Sequence, residues 1–201
     1  MIKRIFFDLD GVLTTYKTGS FTTSKYFAEK LGVDFQDVFE YKKQFDKDTD
    51  SGKISEFDVW KKTCERFGIE FNKEYLYEAF SSTPIDERMI QYAIQLKDKY
   101  EVGIITDNSI ERANIISEKN SWSDIFDIIV ISEDVKCTKE GVEIFNIATQ
   151  RANVNPEECI FIDNKQENID VAAKAGLMGV YFDDAIRDYE KLRDVVESYC
   201  G

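Results

Sequence analysis

Short apolar segments alternate with segments of helical periodicity over most of the chain. The apolar segments predict β-strands at residues 4–9, 102–106, 127–131, 159–162 and 180–182. Apolar residues spaced three and four apart predict helices at 86–100, 109–120, 140–152 and 186–199, and one more that ends near Gly176. Strands that alternate with helices are typical of parallel sheets, so the pattern predicts an α/β fold with a doubly wound parallel sheet.

The interval between the first two predicted strands is much longer than a crossover connection requires. Its periodicity predicts helices at residues 24–31, 35–45, 55–67 and 73–80. The economical interpretation is a helical insertion after the first strand. We therefore predict an α/β core formed by residues 1–14 and 84–201 and an α-helical cap domain formed by residues 15–83.

Acidic, amide and hydroxyl side chains follow several of the predicted strands. Asp8 and Asp10 follow the first strand, Thr106 ends the second, and Asp163 and Asn164 follow the fourth. Because ligands of open α/β sheets bind outside the carboxyl ends of the strands, these side chains predict a site at that edge. A helical insertion that leaves from the same edge would lie over the site as a lid.

Composition narrows the chemistry that such a site can perform. The sequence contains no histidine, which excludes Ser-His-Asp triads, Cys-His proteases and imidazole-ligated zinc. Proton transfer must then be carried out by carboxylates, Lys, Tyr or Cys. The formal net charge of −13 disfavours binding to nucleic acid and to anionic membranes, and a small-molecule partner is expected.

The cysteines point to a reducing compartment. Cys64, Cys137, Cys159 and Cys200 form no CxxC pair, and none begins the Cys-to-Arg spacing of cysteine phosphatases. Scattered thiols without a signal-peptide pattern predict a cytoplasmic protein. No run approaches the ~20 apolar residues that a membrane span requires. A monomer and a homodimer are both compatible with the sequence.

Four segments carry candidate chemistry, and their order along the chain is informative. They are FFDLDGVLT at 6–14, IITDNS at 104–109, KEGVEIF at 139–145 and FIDNKQENIDVAAKAGLMGVYF at 161–182. In this order and at these strand ends, they resemble the motifs of the haloacid dehalogenase (HAD) superfamily of aspartate-nucleophile phosphohydrolases. The segment GKISEFDVW at 52–60 is similar to a stretch common in the helical caps of that family. The resemblance covers nearly the whole chain and implies a Rossmann-like core with a helical cap.

The resemblance also implies a reaction and the residues that perform it. The expected activity is Mg²⁺-dependent hydrolysis of a small phosphorylated metabolite, a phosphomonoester, through an aspartyl-phosphate intermediate. Asp8 would be the nucleophile. Asp10 would protonate the leaving oxygen and then accept a proton from the hydrolytic water. Lys139 would neutralise Asp8 and one phosphate oxygen.

The same resemblance implies two sets of ligands. The substrate phosphate would be bound by the hydroxyl of Thr106, the backbone amide of Asp107 and the ammonium of Lys139. The Mg²⁺ ion would be bound by Asp8, by the backbone carbonyl of Asp10, and by Asp163 and Asn164. Oxygen ligands of this kind suit Mg²⁺.

Three positions depart from the pattern of the family. Glu140 stands where a proline usually follows the motif lysine, and Lys136 stands where a glycine is expected, which makes Lys136 a rival to Lys139. Asn164 stands where a second acid usually provides the main metal ligand. Its amide oxygen can ligate Mg²⁺ with one negative charge fewer, so Asn164 and Asp163 both remain candidates for that role.

Alternative functions follow from the same motifs. One is a phosphomutase resembling β-phosphoglucomutase, and another is a HAD-like binding protein with impaired catalysis, for which Asn164 is the only indication. Dehalogenation of 2-haloacids is disfavoured because dehalogenases lack the acid found here at Asp10. Substrate specificity is expected to come from cap and flap side chains, namely Tyr16, Lys17, Lys42, Lys43 and Trp60.

An acidic run in the predicted cap resembles a calcium-binding loop. Asp46, Asp48 and Asp50 precede Gly52, but Ser51 and Phe57 occupy the positions at which an EF-hand requires Gly and Glu. We therefore predict a solvated loop rather than a calcium site.

Overall fold

The computed structural model describes residues 1–200 and contains one parallel sheet. Its strands are β1 (Arg4–Phe7), β2 (Glu101–Thr106), β3 (Ile128–Ile131), β4 (Cys159–Asp163) and β5 (Met178–Tyr181). They lie in the order β3-β2-β1-β4-β5, so the chain winds outward in both directions from β1. This topology confirms the predicted doubly wound α/β fold.

Helices cover both faces of the sheet. They are α6 (Glu87–Leu96), α7 (Ile110–Lys119), α8 (Ser132–Val135), α9 (Glu143–Ala152), α10 (Gln166–Lys174) and α11 (Tyr189–Cys200). Neighbouring residues of a strand point to opposite faces, so Phe7 packs with apolar side chains of α6, α7 and α11, while Phe6 packs with those of α9 and α10. Both faces are therefore buried, which explains why the strands read as continuous apolar runs.

Five further helices lie between β1 and α6. They are α1 (Gly19–Leu31), α2 (Phe35–Lys43), α3 (Asp46–Asp50), α4 (Glu56–Phe67) and α5 (Lys73–Ser81). We call residues 19–81 the helical insert. Its buried residues form an apolar cluster of their own, in which the rings of Phe27 and Trp60 stack with centroids 3.6 Å apart. The four helices predicted for this region correspond to α1, α2, α4 and α5.

Two short helices were not predicted, and one prediction is wrong. Residues 46–50 form helix α3 instead of a solvated loop, and both Asp46 and Asp50 are partly buried. Helix α8, directly after β3, was also missed. Elements of four or five residues contain too few turns to show an apolar period, so periodicity cannot detect them.

The two connections to the helical insert run side by side. The backbone N–H of Thr15 donates to the carbonyl of Pro84 at 3.0 Å, and that of Asp86 donates to Leu13 at 2.9 Å. The guanidinium of Arg187, in the loop after β5, donates to the carbonyl of Thr14 at 2.8 Å. These bonds fix both connections beside the carboxyl end of β1.

No helix among residues 1–200 combines the length and the apolar character needed to cross a membrane.

Candidate active site

The site is built around the residue that follows β1. Asp8 leaves the strand with its N–H donating to the carbonyl of Ile162 at 2.9 Å, which extends the pairing of β1 with β4. The chain then makes a wide turn over Leu9–Leu13, which is closed by the N–H of Thr14 donating to the carbonyl of Leu9 at 3.0 Å and which places Asp10 near the same edge of the sheet. Gly11 reverses the backbone within this turn with a φ of +84°, a conformation that glycine adopts without steric cost.

Asn164 packs directly against this turn. A Cβ atom on Gly11 would lie 2.2 Å from Nδ2 of Asn164, so a side chain at position 11 would displace the Asn164 amide. The Oδ1 atom of Asn164 is buried and has no hydrogen-bond partner among the described residues. A buried amide oxygen without a partner is costly unless a ligand satisfies it, and an amide oxygen suits Mg²⁺.

A buried lysine joins the carboxylates that follow β1 and end β4. Nζ of Lys139 lies 2.6 Å from Asp8 and 2.8 Å from Asp163, and the side chain is only 2% exposed. The backbone N–H of Lys139 donates to the carboxylate of Asp107 at 2.9 Å. This bond anchors the loop at residues 136–142, which we call the lysine loop, to the residue that follows β2. Lys136 is exposed instead, and its φ of +57° explains why glycine is expected there.

Burial and the neighbouring charges together set the pKa values of Asp8 and Lys139. Burial raises the pKa of Asp8 to about 7, and the adjacent ammonium of Lys139 opposes this rise. Burial alone would lower the pKa of Lys139, but the charges of Asp163 and Asp8 outweigh it and raise that pKa. The ammonium therefore stays charged, and any further cation beside Asp8 would favour its ionised, nucleophilic form.

The carboxylate of Asp163 is held by several donors. Besides Lys139, it accepts hydrogen bonds from the backbone N–H of Lys165 at 2.7 Å and from Nδ2 of Asn168 at 2.9 Å. No group of three or more His, Cys, Asp or Glu side chains in residues 1–200 is arranged to hold a metal. Both carboxylate oxygens of Asp163 thus accept hydrogen bonds, whereas Oδ1 of Asn164 has no partner among the described residues.

Asp10 is held by an arginine that the sequence analysis missed. Two N–H groups of Arg112, on α7, donate to the two carboxylate oxygens of Asp10, each at 2.7 Å. Nδ2 of Asn108 donates to the same carboxylate at 3.1 Å. The DNS sequence after Thr106 predicts the start of α7, but nothing in it indicates that Arg112 turns back toward β1.

Asp8, Asp10, Asp107 and Lys139 line a common cavity of about 370 Å³ between the sheet edge and the helical insert. Thr106 is buried at the end of β2, and its hydroxyl has no partner among the described residues. The helical insert contributes Gly19, Ser20, Asp46, Lys47, Thr49, Asp50 and Glu56 to the cavity wall, and the connection that precedes it contributes Lys17 and Thr18. The structure thus brings the predicted site residues together at one edge of the sheet.

Of the side chains expected to determine specificity, Lys17 lines this cavity. Lys42 is buried against Glu56, with Nζ 3.4 Å from its carboxylate, and Lys43 is exposed. Trp60 belongs to the apolar centre of the insert, so it cannot contact a ligand in the cavity. Tyr16 lines a separate surface depression.

Helix α3 lines the cavity and is hydrogen-bonded to the core. The hydroxyl of Ser132 donates to the carbonyl of Asp50 at 2.6 Å and accepts from the N–H of Asn108 at 3.0 Å. Burial, together with the charges of Asp107 and Asp46, raises the pKa of Asp50 to about 8. Asp46 and Asp50 thus line the cavity, where the sequence predicted exposure to solvent, and Asp48 is exposed.

Comparisons with known proteins agree with this geometry. A family model for haloacid dehalogenase-like hydrolases matches residues 2–176. The chain is 30% identical to the pyrimidine 5′-nucleotidase YjjG of Escherichia coli over 171 residues, which cover 76% of this chain and 72% of that protein. It is 24% identical to the D-ribitol-5-phosphate phosphatase of Bacteroides thetaiotaomicron over 192 residues, which cover 88% and 89% of the two chains.

A solved structure shows the same fold. A wild-type HAD family enzyme from Bacteroides thetaiotaomicron, in complex with magnesium and inorganic phosphate, has a TM-score of 0.70 at 24% identity. The match covers 90% of this chain and 94% of that one. With a family model that spans most of its length and the four motif segments gathered at one sheet edge, the chain belongs to the haloacid dehalogenase-like hydrolases.

Proposed function

We propose that this hydrolase is a Mg²⁺-dependent phosphomonoesterase that acts on a small phosphorylated metabolite through an aspartyl-phosphate. The observation that carries the proposal is the buried ammonium of Lys139, which lies 2.6 Å from Asp8 and lines the same cavity. A carboxylate repels a phosphate dianion unless positive charge stands beside it, and Lys139 provides one such charge.

In the first step, a carboxylate oxygen of Asp8 attacks phosphorus as the bond to the leaving oxygen breaks. A protonated Asp10 gives its proton to that oxygen, which leaves as an alcohol. The hydroxyl of Thr106, the N–H of Asp107 and the ammonium of Lys139 bind the phosphoryl oxygens. The unpartnered hydroxyl of Thr106 supports this role, because it has a donor to offer.

In the second step, Asp10 accepts a proton from a water molecule as that water attacks the phosphorus of the aspartyl-phosphate. The bond to Asp8 breaks, inorganic phosphate leaves, and Asp10 is again protonated. Asp10 lines the same cavity as Asp8, as this double role requires.

The residues at the sheet edge fit a magnesium ion. Asp8, the backbone carbonyl of Asp10, and Asn164 would hold it, with Asp163 as a further ligand or as the carboxylate that positions Lys139. The buried, unpartnered Oδ1 of Asn164 supports this assignment. A bound Mg²⁺ supplies positive charge that offsets the repulsion between Asp8 and the substrate phosphate.

Residues 15–83 would act as the cap of the enzyme. Helix α3 lines the cavity opposite Asp8, and Lys47 on this helix pairs with Glu140 of the lysine loop at 2.7 Å. A lid of this kind restricts the site to small substrates and keeps bulk water from the aspartyl-phosphate.

The test is a phosphate-release assay over a panel of phosphorylated metabolites, with and without Mg²⁺. Because the two relatives are a pyrimidine 5′-nucleotidase and a D-ribitol-5-phosphate phosphatase, the panel includes pyrimidine nucleoside monophosphates and sugar-alcohol phosphates. We expect Mg²⁺-dependent release from at least one compound, and none from the Asp8→Asn variant. Release by that variant, or no release by the wild type, contradicts the proposal. An isomeric sugar phosphate as the only product identifies a mutase.

A further inference from the structure

The guanidinium of Arg112 has an unusual position for a charged group. It is 1% exposed, yet it lies beside a cavity and pairs with a carboxylate that lines that cavity. The pair is bidentate, with both distances at 2.7 Å, the arrangement that most strongly restricts the orientation of a carboxylate. The pair therefore fixes both the plane of the Asp10 carboxylate and the direction in which its oxygens point.

The other two polar contacts of the Asp10 carboxylate are longer, and each involves a different oxygen of that carboxylate. Nδ2 of Asn108 donates to Oδ2 at 3.1 Å, so Oδ2 accepts two hydrogen bonds, one of them from Arg112. The hydroxyl of Thr14 has one proton and lies 3.0 Å from the carbonyl of Tyr16, closer than its 3.4 Å to Oδ1 of Asp10. With that proton donated to Tyr16, Oδ1 accepts from Arg112 alone among the described residues and keeps a second lone pair that can carry or accept a proton. The bidentate pair is thus compatible with proton transfer by Asp10.

The helical insert approaches this ion pair through a glycine. A Cβ atom on Gly19, at the start of α1, would lie 3.0 Å from Cζ, Nε and Nη1 of Arg112. The backbone of Gly19 has no positive φ, so the reason for glycine here is space rather than conformation. The insert therefore packs on the guanidinium and shields the pair with Asp10 from solvent.

We propose that Arg112 is a positioning residue of the reaction: it fixes the carboxylate of Asp10 toward the leaving oxygen, and Gly19 lets the insert hold it there. This inference rests on the proposed function. A lysine would keep the charge but could not form the bidentate pair, since an ammonium is a point charge without a planar fork. Geometry, and not charge alone, is therefore what Arg112 contributes.

The first experiment measures leaving-group dependence. We compare kcat/KM for phenyl phosphate, a poor leaving group, and para-nitrophenyl phosphate, a good one, in wild type, Arg112→Lys and Arg112→Met. Misplacing a general acid matters more for the basic leaving group, so both variants should lose about tenfold more activity on phenyl phosphate. Arg151→Met, which breaks an exposed pair with Asp134, is the matched control and should change neither rate.

The second experiment is a double-mutant cycle with Asp10→Asn. If Arg112 acts through Asp10, Arg112→Met should change kcat/KM by less than about twofold in the Asp10→Asn background. The double variant also removes both charges of the pair, so it avoids the uncompensated charge that each single variant buries. Thermal unfolding of all four proteins verifies that each is folded.

A third variant approaches the pair from the insert. Gly19→Ala improves helix propensity at the start of α1, so a loss of activity does not arise from a weaker helix. Gly19 contacts Arg112 and also lines the cavity, and the Arg112→Met background distinguishes these two causes. We expect a loss on phenyl phosphate in the wild-type background and none in the Arg112→Met background. If Arg112→Met does not fold, Gly19→Ala in the wild-type background still tests whether the orientation of Arg112 affects turnover.

Several results would overturn the inference. They are equal slowing on both aryl phosphates, a raised KM with unchanged kcat, or full additivity with Asp10→Asn. No turnover by wild type on either ester or on the metabolite panel contradicts the proposed function, and the inference falls with it. Turnover by wild type with an additive cycle contradicts the role of Arg112 alone.

Discussion

Nζ of Lys139 lies 2.6 Å from Asp8 and 2.8 Å from Asp163, so one buried ammonium balances the two carboxylates at the carboxyl ends of β1 and β4. These strands are neighbours in register, with Phe7 opposite Ile162. The ion cluster is therefore part of the fold as well as of the site. Removing its cation should affect both stability and turnover.

We predict that Lys139→Ala lowers kcat/KM by about 100-fold or more, because the repulsion between Asp8 and the substrate phosphate is no longer screened. The variant should also lose about 3–5 kcal/mol of stability, since two buried carboxylates would lack their cation. Urea unfolding and the phosphate-release assay measure the two effects. The matched control is Lys136→Ala, which changes an exposed side chain near the same loop.

The opposite ranking of these lysine variants would place the catalytic cation at Lys136. Because Lys139→Ala is expected to be less stable, its activity is measured at a temperature at which circular dichroism shows the folded state. A folded Lys139→Ala protein with full activity would remove the central argument of the proposed function.

The sequence predicted the sheet, the large helices and the residues at the strand ends because these depend on local patterns. Asp8, Thr106 and Asp163 each follow a recognisable apolar run, and parallel strands bring their ends to one edge. The bidentate pair of Arg112 and Asp10 joins residues 102 positions apart, and no local pattern encodes it. Helix α3 was missed because its five residues are all polar and form little more than one turn, so they show no apolar period and resemble a charged loop.

The role of Asp8 leads to a prediction with a direct chemical readout. Asp8→Asn should fold like the wild type, because the amide has nearly the same shape, but it should neither turn over nor become phosphorylated. Intact mass measurement after acid quench of wild type with its substrate should show one added phosphoryl group, and the variant should show none. Asp48→Asn, at an exposed position on α3, is the control that keeps full activity.

Asp50 provides a test of stability against pH. Burial raises its pKa from 3.8 to about 8, so the folded protein holds a proton that the unfolded chain has lost over this range. Stability should therefore fall as pH rises from about 4 to about 8, by at most about 1.4 kcal/mol per pH unit from this group. Asp50→Asn removes the effect, because an amide needs no proton to be buried.

The measurement is urea unfolding of wild type and Asp50→Asn at pH 5 and pH 8, in the presence of a metal chelator. The variant should gain stability relative to the wild type, and the gain should be larger at pH 8. Asp48→Asn on the same helix controls for the loss of one negative charge, since its carboxylate is exposed and pairs loosely with Lys53. An equal gain at both pH values would show that Asp50 does not titrate with folding.

Asn164 is the position at which the chain departs most from its family, and it allows the metal site to be tested without substrate. Its Oδ1 is buried, unpartnered among the described residues, and close to the turn that carries Gly11. If it is a ligand, Asn164→Asp adds a negative charge to the site and should tighten Mg²⁺ binding. A tenfold gain corresponds to about 1.4 kcal/mol, a modest effect for one added charge.

The substitution also has a cost, because it places a second carboxylate beside Asp163. Without Mg²⁺ the variant should melt at a lower temperature than the wild type, and Mg²⁺ should raise its melting temperature by more. Calorimetric titration with Mg²⁺ measures the affinity directly, and Asn146→Asp, which adds the same charge at an exposed position on α9, should bind Mg²⁺ like the wild type. Unchanged or weaker binding by Asn164→Asp would leave Asp163 as the ligand. Absence of binding in every variant would contradict the metal dependence and favour a HAD-like protein that binds without catalysis.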